Sequence, residues 1–474
     1  MTPLQTPLKS KPSAPVRIGM VSLGCPKTLV DSEVILGKLD PAQYKIVPSG
    51  TDCDVALLNT CTFIEDARKE SVDRILEMVQ LKKEKRIQKL IVMGCLVQRF
   101  PADLQKELEE VDAFIGSGDY AKIPEIVEGV QKGERVVSVG APGYLSTSAE
   151  ARVALTPKHY RYIKISEGCD HICSFCSIPS FRGKHRSRSI EDVVLEAQRM
   201  IQDGTREIIL TGQDTTYFGK DRTGEFLLPE LLRQMDQLPG GRNPMIPARS
   251  ADFDNPLFTD YWIRLLYVYP SCVTPELMEA LRDSKHLCRY LDMPLQHISD
   301  AMLLAMRRGI TKRRTVDLVR KFRETVPGLA IRTTFIVGFP GETEKDFEEL
   351  LEFMEEIKFE RVGIFRYSFE EGTHSASLPR QVPEKIKRER FDKAMLLQQR
   401  ISRENNRKFL GRTLQVLIDG PFPKDPKKWT GRSYQDAPEI DGTVRVTSKK
   451  LLLPGEFYPV TITDFHEYDL VGQV

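Results

Sequence analysis

Over residues 16–132, short apolar runs alternate with stretches whose apolar positions recur at helical spacing. The runs are RIGMVSLG, DVALLNT, KLIVMG and AFIGSG, and the helical patterns fall near Ser32 to Leu39, Ile64 to Val79, Pro101 to Glu109 and Ile123 to Val130. Strand-sized apolar segments separated by amphipathic helices are the rhythm of a doubly wound parallel sheet. The expectation for this segment is a flavodoxin-like α/β domain. From Gly133 to Lys158 the chain carries Gly, Pro, Ser and Thr without period, and a linker is expected there.

The alternation resumes over 155–400, with candidate strands RYIKIS, EIILTG, IRLLYV, RYLDMPL, AIRTTFIVGF and RVGIFRYS. Helices separate them; one should begin at Ile190, with Ser189 as cap and Asp192 three residues on. Six βα units predict a partial (β/α)6 barrel, whose chemistry belongs at the C-terminal ends of its strands. Residues Leu238 to Asp260 break the rhythm with Pro, Gly and Asn and are expected to form a surface insertion. A long charged helix, roughly Pro383 to Arg407, leads into 404–474, where the β-branched runs TLQVLIDG, GTVRVTS and EFYPVTITDF predict a small antiparallel barrel.

The remaining numbers narrow the class. At 474 residues the chain is long enough for two or three domains. No window approaches eighteen consecutive apolar residues, and the first fifteen are polar and Pro-rich without an apolar signal core, so a cytoplasmic chain with a disordered leader is expected. A net charge of +2 offers no global field to recruit nucleic acid or an anionic membrane. Nine cysteines in such a chain point to metal binding or catalysis, because a reducing compartment disfavours disulfides.

Three of the cysteines, Cys169, Cys173 and Cys176, have C-x3-C-x2-C spacing in ISEGCDHICSFCSIP, directly after RYIKIS. Three thiolates on one tight loop can hold three irons of a 4Fe-4S cube and leave the fourth iron open to a ligand. A structural zinc site is the competing reading, with His171 inside the loop as a fourth donor. The triad, with Phe175 before its last cysteine, resembles the signature loop of radical S-adenosylmethionine enzymes. That resemblance implies S-adenosylmethionine chelated on the open iron and cleaved by one electron to a 5′-deoxyadenosyl radical. It further implies a cofactor cleft lined by Gly212 and Gln213 after EIILTG, by Arg188, and by Gly338 in FIVGFPGET.

A second set, Cys25, Cys61 and Cys95, is dispersed, yet each member immediately follows an apolar strand of the first segment. Strand C-termini of a parallel sheet line one edge, so the three thiols should converge there and hold a second cluster. Three independent buried cysteines are the alternative, and Cys53, Cys272 and Cys288 are expected to be plain core residues.

Two clusters, a flavodoxin-like front, a partial barrel and a small β tail resemble the radical S-adenosylmethionine methylthiotransferase family over nearly the whole chain. The resemblance implies that the barrel cluster makes a radical while the front cluster holds the sulfur to be inserted. Two equivalents of S-adenosylmethionine and an outside electron donor of the flavodoxin or ferredoxin kind follow from it. SLGCPKTLVDSE, NTCTFIEDARKES, GQDTTYFG and MPLQH are similar to the subfamily that modifies the β-carbon of an aspartate in ribosomal small-subunit protein twelve. The alternative is the subfamily acting on a tRNA adenosine. Thr28 departs from the first subfamily's usual Asn. Gln296 and His297, ending RYLDMPL, are expected at the barrel mouth, with His297 either bonding a substrate carboxylate or serving the structure.

From Glu404 onward, ten basic and ten acidic residues balance, so the tail, which resembles the TRAM barrels, lacks the basic face that RNA affinity favours. A basic protein partner suits it better, with Asp436, Glu439 and Asp441 as expected contacts or as a merely solvated loop. A local RNA contact at Lys424, Lys427 and Lys428 stays secondary.

Overall fold

The structure is a computed structural model describing residues 14–48, 50–240, 259–423, 425 and 427–474. The leader up to residue 13, residues 241–258 of the expected insertion, and Lys424 lie outside the described residues. Contacts divide the chain into two compact units. The first holds the described residues up to Thr62 with Asp66–Tyr144 and Glu150–Val153, and the second holds Phe63–Glu65, Leu145–Ala149 and Ala154–Val474.

In the first unit, strands β1 (Val16–Ser22), β2 (Tyr44–Val47), β3 (Cys53–Thr60), β4 (Ile87–Gly94), β5 (Ala113–Gly116) and β6 (Val136–Ser138) form one parallel sheet in the order β2-β1-β3-β4-β5-β6. Alternation of side chains across the strands divides the core into two layers. Val55 and Leu57 pack with Ile123 and Val127 on one face, while Ala56 and Leu58 pack with Ile75 and Val79 on the other. The first helix starts at Pro26, six residues before the expected Ser32, because a proline suits the first helical turn, where its missing N–H costs nothing. Two strands escaped the pattern. β6 lies within the predicted linker, and β2 and β6 are four- and three-residue edge strands too short to carry a period.

The second unit opens with strands β7 (Tyr160–Lys164), β8 (Ser166–Glu167), β9 (Arg186–Ser187), β10 (Glu207–Thr211), β11 (Trp262–Leu265), β12 (Tyr290–Asp292), β13 (Ala330–Val337) and β14 (Arg361–Arg366). β7, β10 and β11 pair in parallel, as do β12, β13 and β14, and an Ile263–Leu287 bridge joins the two sets into a six-stranded open barrel. The helix Ile190–Gln202 starts as expected, with Ser189 Oγ accepting from Asp192 N–H at 3.2 Å. After the helix Glu384–Arg407, strands β15 (Thr413–Pro421), β16 (Lys428–Arg432), β17 (Val444–Thr447), β18 (Phe457–Phe465) and β19 (Leu470–Gln473) close a barrel in the order β15-β16-β17-β19-β18. Its pairs are antiparallel except β17 with β19.

Buried ion pairs join the two barrels of this unit. Arg361 Nη2 lies 2.6 Å from Asp436 Oδ1, Arg332 Nε lies 3.4 Å from Asp441 Oδ1, and Tyr290 OH donates to Asp441 Oδ2 at 2.7 Å. Tyr160 OH donates to Glu439 at 3.1 Å. The expectation that Asp436, Glu439 and Asp441 face a basic partner is therefore corrected: they face arginines and tyrosines of the open barrel. Asp436 and Asp441 can be taken from water only because guanidinium and hydroxyl donors replace the lost solvation, whereas Glu439 stays exposed. Glu207 extends the seam, bonded by Arg264 Nε at 2.6 Å and by Arg432, whose Nη2 also reaches Asp419 Oδ1 at 2.9 Å.

Candidate functional site

The short antiparallel pair β8–β9 pinches off residues 168–185 as one loop at the C-terminal end of β7. Gly168 permits the pinch, with φ +81°, and a Cβ there would lie 2.0 Å from the Lys184 carbonyl oxygen. The loop carries Cys169, Cys173 and Cys176, all partly exposed. Its backbone is tied from within by Cys169 N–H to Gly183 O and Cys176 N–H to Cys173 O, each at 3.1 Å. It is tied from without by Ser174 N–H to Met306 O at 3.0 Å and Ser174 Oγ to Ala305 O at 2.7 Å. Burial pushes the Cys169 thiol well above its ordinary value, so a thiolate there calls for a bound cation, the role an iron fills.

Around the loop the strand ends contribute polar groups. Glu167 is buried and accepts from Lys164 Nζ at 2.6 Å, Arg182 Nη1 at 3.2 Å and Gln213 Nε2 at 2.5 Å. Burial alone would raise its carboxyl; Lys164 and Arg182 outweigh that and bring it down to about 2, so Glu167 stays ionised. Ser166 Oγ, Thr211 Oγ1, Gln213 Oε1 and Gln296 Oε1 are buried without partners. A Cβ on Gly212 would meet Ser166 Oγ at 2.7 Å. Unsatisfied polar atoms at the ends of successive strands, beside a three-thiol loop, fit a polar cofactor that supplies their missing partners.

The surroundings of the other expected positions are as follows. Arg188 is buried, donating to Asp192 Oδ2 at 2.6 Å, Glu196 Oε2 at 2.5 Å and Lys164 O at 3.2 Å. Gly338 adopts φ +73°, and a Cβ there would strike Lys387 Cγ at 2.4 Å, so helix packing and backbone conformation account for the glycine. Gln296 also has positive φ, +74°, and its backbone bonds Thr334 O and Ile336 N–H of β13. His297 is fully buried, its Nδ1 accepts from the N–H groups of Ile298 and Ser299, and its Nε2 faces Glu342 at 3.5 Å. At that separation neither His297 Nε2 nor Glu342 Oε1 has a hydrogen-bond partner.

Three residues that sequence reasoning passed over, Asp214, Tyr269 and Arg308, stand at the loop beside His171. His171 is held by Asp214 Oδ2 at 2.6 Å, and its ring stacks on Tyr269 at 3.5 Å with planes 10° apart. The other face of Tyr269 carries Arg308, whose guanidinium carbon lies 4.2 Å from the ring centroid and whose Nη1 reaches Cys173 Sγ at 3.2 Å. Cys272 joins His171 and Asp214, with donor atoms mutually within 4.8 Å, so it is not the plain core residue expected, unlike the buried Cys53 and Cys288. The available signal was positional: Asp214 adjoins Gln213, and Tyr269 follows IRLLYV at a strand end.

In the first unit, Cys25, Cys61 and Cys95 follow β1, β3 and β4, three adjacent parallel strands with Ser22 opposite Asn59 and Thr60 opposite Gly94. Two glycines bring the chain close. At Gly24 (φ +95°) a Cβ would lie 3.1 Å from Cys61 Sγ, and at Gly94 (φ +107°) it would lie 2.3 Å from Asn59 Oδ1. Ser71 Oγ accepts from Cys61 N–H and donates to Cys61 O, each at 3.0 Å. Thr28 Oγ1 sits 3.6 Å from Cys25 Sγ, so the one departure from the subfamily pattern touches a cysteine of the set.

Comparison with known proteins agrees with this architecture. Residues 163–354 match the Radical SAM superfamily, 17–116 the Uncharacterized protein family UPF0004, and 410–474 the TRAM domain. The ribosomal protein uS12 methylthiotransferase RimO of Pelotomaculum thermopropionicum is 45% identical over 97% of this chain and 99% of its own length. That of Geobacter sulfurreducens is 42% identical over 98% and 99%. Among solved structures, the radical S-adenosylmethionine methyltransferase TsrM of Kitasatospora setae superposes with TM-score 0.53 at 16% identity, covering 74% of this chain and 73% of that one, a likeness of fold. An open barrel with a three-cysteine loop at the end of its first strand, within these matches, defines a sulfur-transferring radical S-adenosylmethionine enzyme that uses an iron–sulfur cluster. The chain belongs to the ribosomal protein uS12 methylthiotransferase (RimO) family.

Proposed function

We propose that this enzyme attaches a methylthio group to the β-carbon of an aspartate in ribosomal protein uS12, using two molecules of S-adenosylmethionine and two 4Fe-4S clusters. The observation that carries the reading is the placement of Cys25, Cys61 and Cys95 at the C-terminal edge of three adjacent strands, in a chain that also bears the C-x3-C-x2-C loop. A β-carbon hydrogen of an aspartate side chain lies beyond the reach of a general base at neutral pH. The loop cluster with S-adenosylmethionine supplies, when bound, the one-electron chemistry that removes such a hydrogen.

Cys169, Cys173 and Cys176 hold that cluster, and Cys25, Cys61 and Cys95 hold the second one, on the sulfur-donating side. Gln213 offers its unpartnered Oε1 to a donor on the cofactor, while its Nε2 is held by Glu167. Lys164 and Arg182 keep Glu167 ionised, so the amide orientation is fixed before the cofactor arrives. Gly212 leaves Ser166 Oγ open to the same cleft.

Anaerobic reconstitution should load about eight irons per chain, and about four after Cys25, Cys61 and Cys95 are all changed to Ala. Incubation with uS12 should add CH2S to one aspartate-containing peptide, whereas the methylthioadenosine content of tRNA stays constant in a deletion strain. Four irons in the unaltered chain, or loss of methylthioadenosine with uS12 unchanged, would overturn the assignment. Among the described residues no helix is long and apolar enough to cross a membrane.

A further inference from the structure

Arg308 stands out as a buried cation whose partners are unusual. It is 4% exposed, and its hydrogen bonds go to Cys173 Sγ at 3.2 Å and Pro294 O at 2.6 Å. Among the described residues no carboxylate lies within ion-pair distance of its guanidinium, so the sulfur of Cys173 is the anion-forming group that it addresses directly. Burying a guanidinium without an anionic partner costs several kcal/mol on the order of other desolvated charges. The surrounding turn is built to aim it. Arg307 and Gly309, on either side, both take positive φ, +56° and +65°, and the Arg307 conformation costs roughly 1–2 kcal/mol.

Tyr269 completes the mount. Its ring is sandwiched between Arg308 and His171, its hydroxyl donates to Arg308 O at 3.1 Å, and Asp214 anchors the outer histidine. The guanidinium is thus held against a tyrosine face, with Nη2 on the Pro294 carbonyl, Nη1 directed at the sulfur and the Nε–H buried without a partner.

We infer that Arg308 is a positioning residue that raises the reduction potential of the cluster on Cys169, Cys173 and Cys176 by holding a positive hydrogen-bond donor on Cys173. The inference rests on the proposed assignment of that cluster. When an outside donor of the flavodoxin or ferredoxin kind delivers one electron, the cluster and its thiolates gain one negative charge. A fixed cation on a ligand sulfur stabilises the reduced form more than the oxidised form and eases that electron uptake.

The test is a redox titration of the anaerobically reconstituted full chain, followed by electron paramagnetic resonance on the signal that changes when S-adenosylmethionine is added. For Arg308→Gln, the ratio of reduced to oxidised cluster at the wild-type midpoint should fall at least tenfold, which is about 59 mV for a one-electron couple. Arg308→Lys keeps the charge and should recover at least half of that shift. Variants that load wild-type iron and titrate at the wild-type midpoint overturn the inference. So does failure of both to load iron, which makes Arg308 only a clamp on the loop, and so does iron loss in Arg308→Gln beside an unmoved midpoint in Arg308→Lys. Absence of any signal responsive to S-adenosylmethionine in the unaltered chain would instead remove the cluster assignment itself.

Discussion

Arg361 of β14 and Asp436 of the C-terminal barrel meet at 2.6 Å, with side chains 7% and 2% exposed. Their pairing, with Arg332–Asp441 and Arg432–Glu207, makes the small barrel a structural part of the second unit. Asp436→Ala would leave the Arg361 charge buried and alone, and should cost about 3–5 kcal/mol, whereas Arg361→Met combined with Asp436→Leu should recover most of the loss. Both tryptophans of the chain, Trp262 and Trp429, lie in this unit, so denaturant unfolding followed by tryptophan fluorescence reads the effect.

The same seam predicts a pH response. Burial raises the Asp419 carboxyl, but Arg432 and the hydrogen bond from His159 outweigh it and hold it below the usual carboxylate range. Glu207 is held below its ordinary value in the same way by Arg432 and Arg264. Groups with lowered folded values add stability above the unfolded carboxylate pKa, about 4, and lose it as pH falls through the folded value. The iron-free chain should therefore lose fluorescence-detected stability below about pH 4, and Asp419→Asn should flatten that decline while lowering stability at neutral pH.

Gly94 places Cys95 by a conformation that other residues resist. Gly94→Ala would put a methyl group 2.3 Å from Asn59 Oδ1 and 2.6 Å from Thr60 O at φ +107°. A strain of about 1–3 kcal/mol should shift the start of the Cys95–Arg99 helix. Iron analysis after reconstitution should show about four irons lost per chain, with S-adenosylmethionine cleavage by the other cluster retained.

Gln213→Leu tests the cofactor cleft directly. It removes the unpartnered acceptor Oε1 and the donor that holds Glu167. Loss of one buried hydrogen bond of this kind should weaken S-adenosylmethionine binding by about 1–3 kcal/mol, roughly five- to 150-fold, measured by calorimetry on the anaerobic holoenzyme. Unchanged affinity would remove Gln213 from the cleft.

How much of this was legible follows from the range of each interaction. Cys25, Cys61 and Cys95 could be grouped from the sequence because parallel strands carry their C-termini to one edge whatever the details of packing. The helix Glu384–Arg407 was legible within one residue because its charged, periodic pattern is long. β2, β6, β16 and β19 have three to five residues each and pair at positions that only the neighbouring strand defines, so local pattern could not find them all.

By itself, the sequence determined the class of chemistry: two sets of three thiols, each tied to apolar strands by short-range spacing, and the order of the α/β segments that present them. Tertiary structure alone decided which polar groups meet. Asp436 looked like a solvated loop acid until Arg361, 75 residues away, was brought against it. Arg308 became a neighbour of Cys173, 135 residues distant, only when the turn after the Asp300–Ala305 helix closed on the cysteine loop. Ion pairs and thiolate contacts act over a few ångströms in space, and separation along the chain carries no information about that distance until the barrel closes.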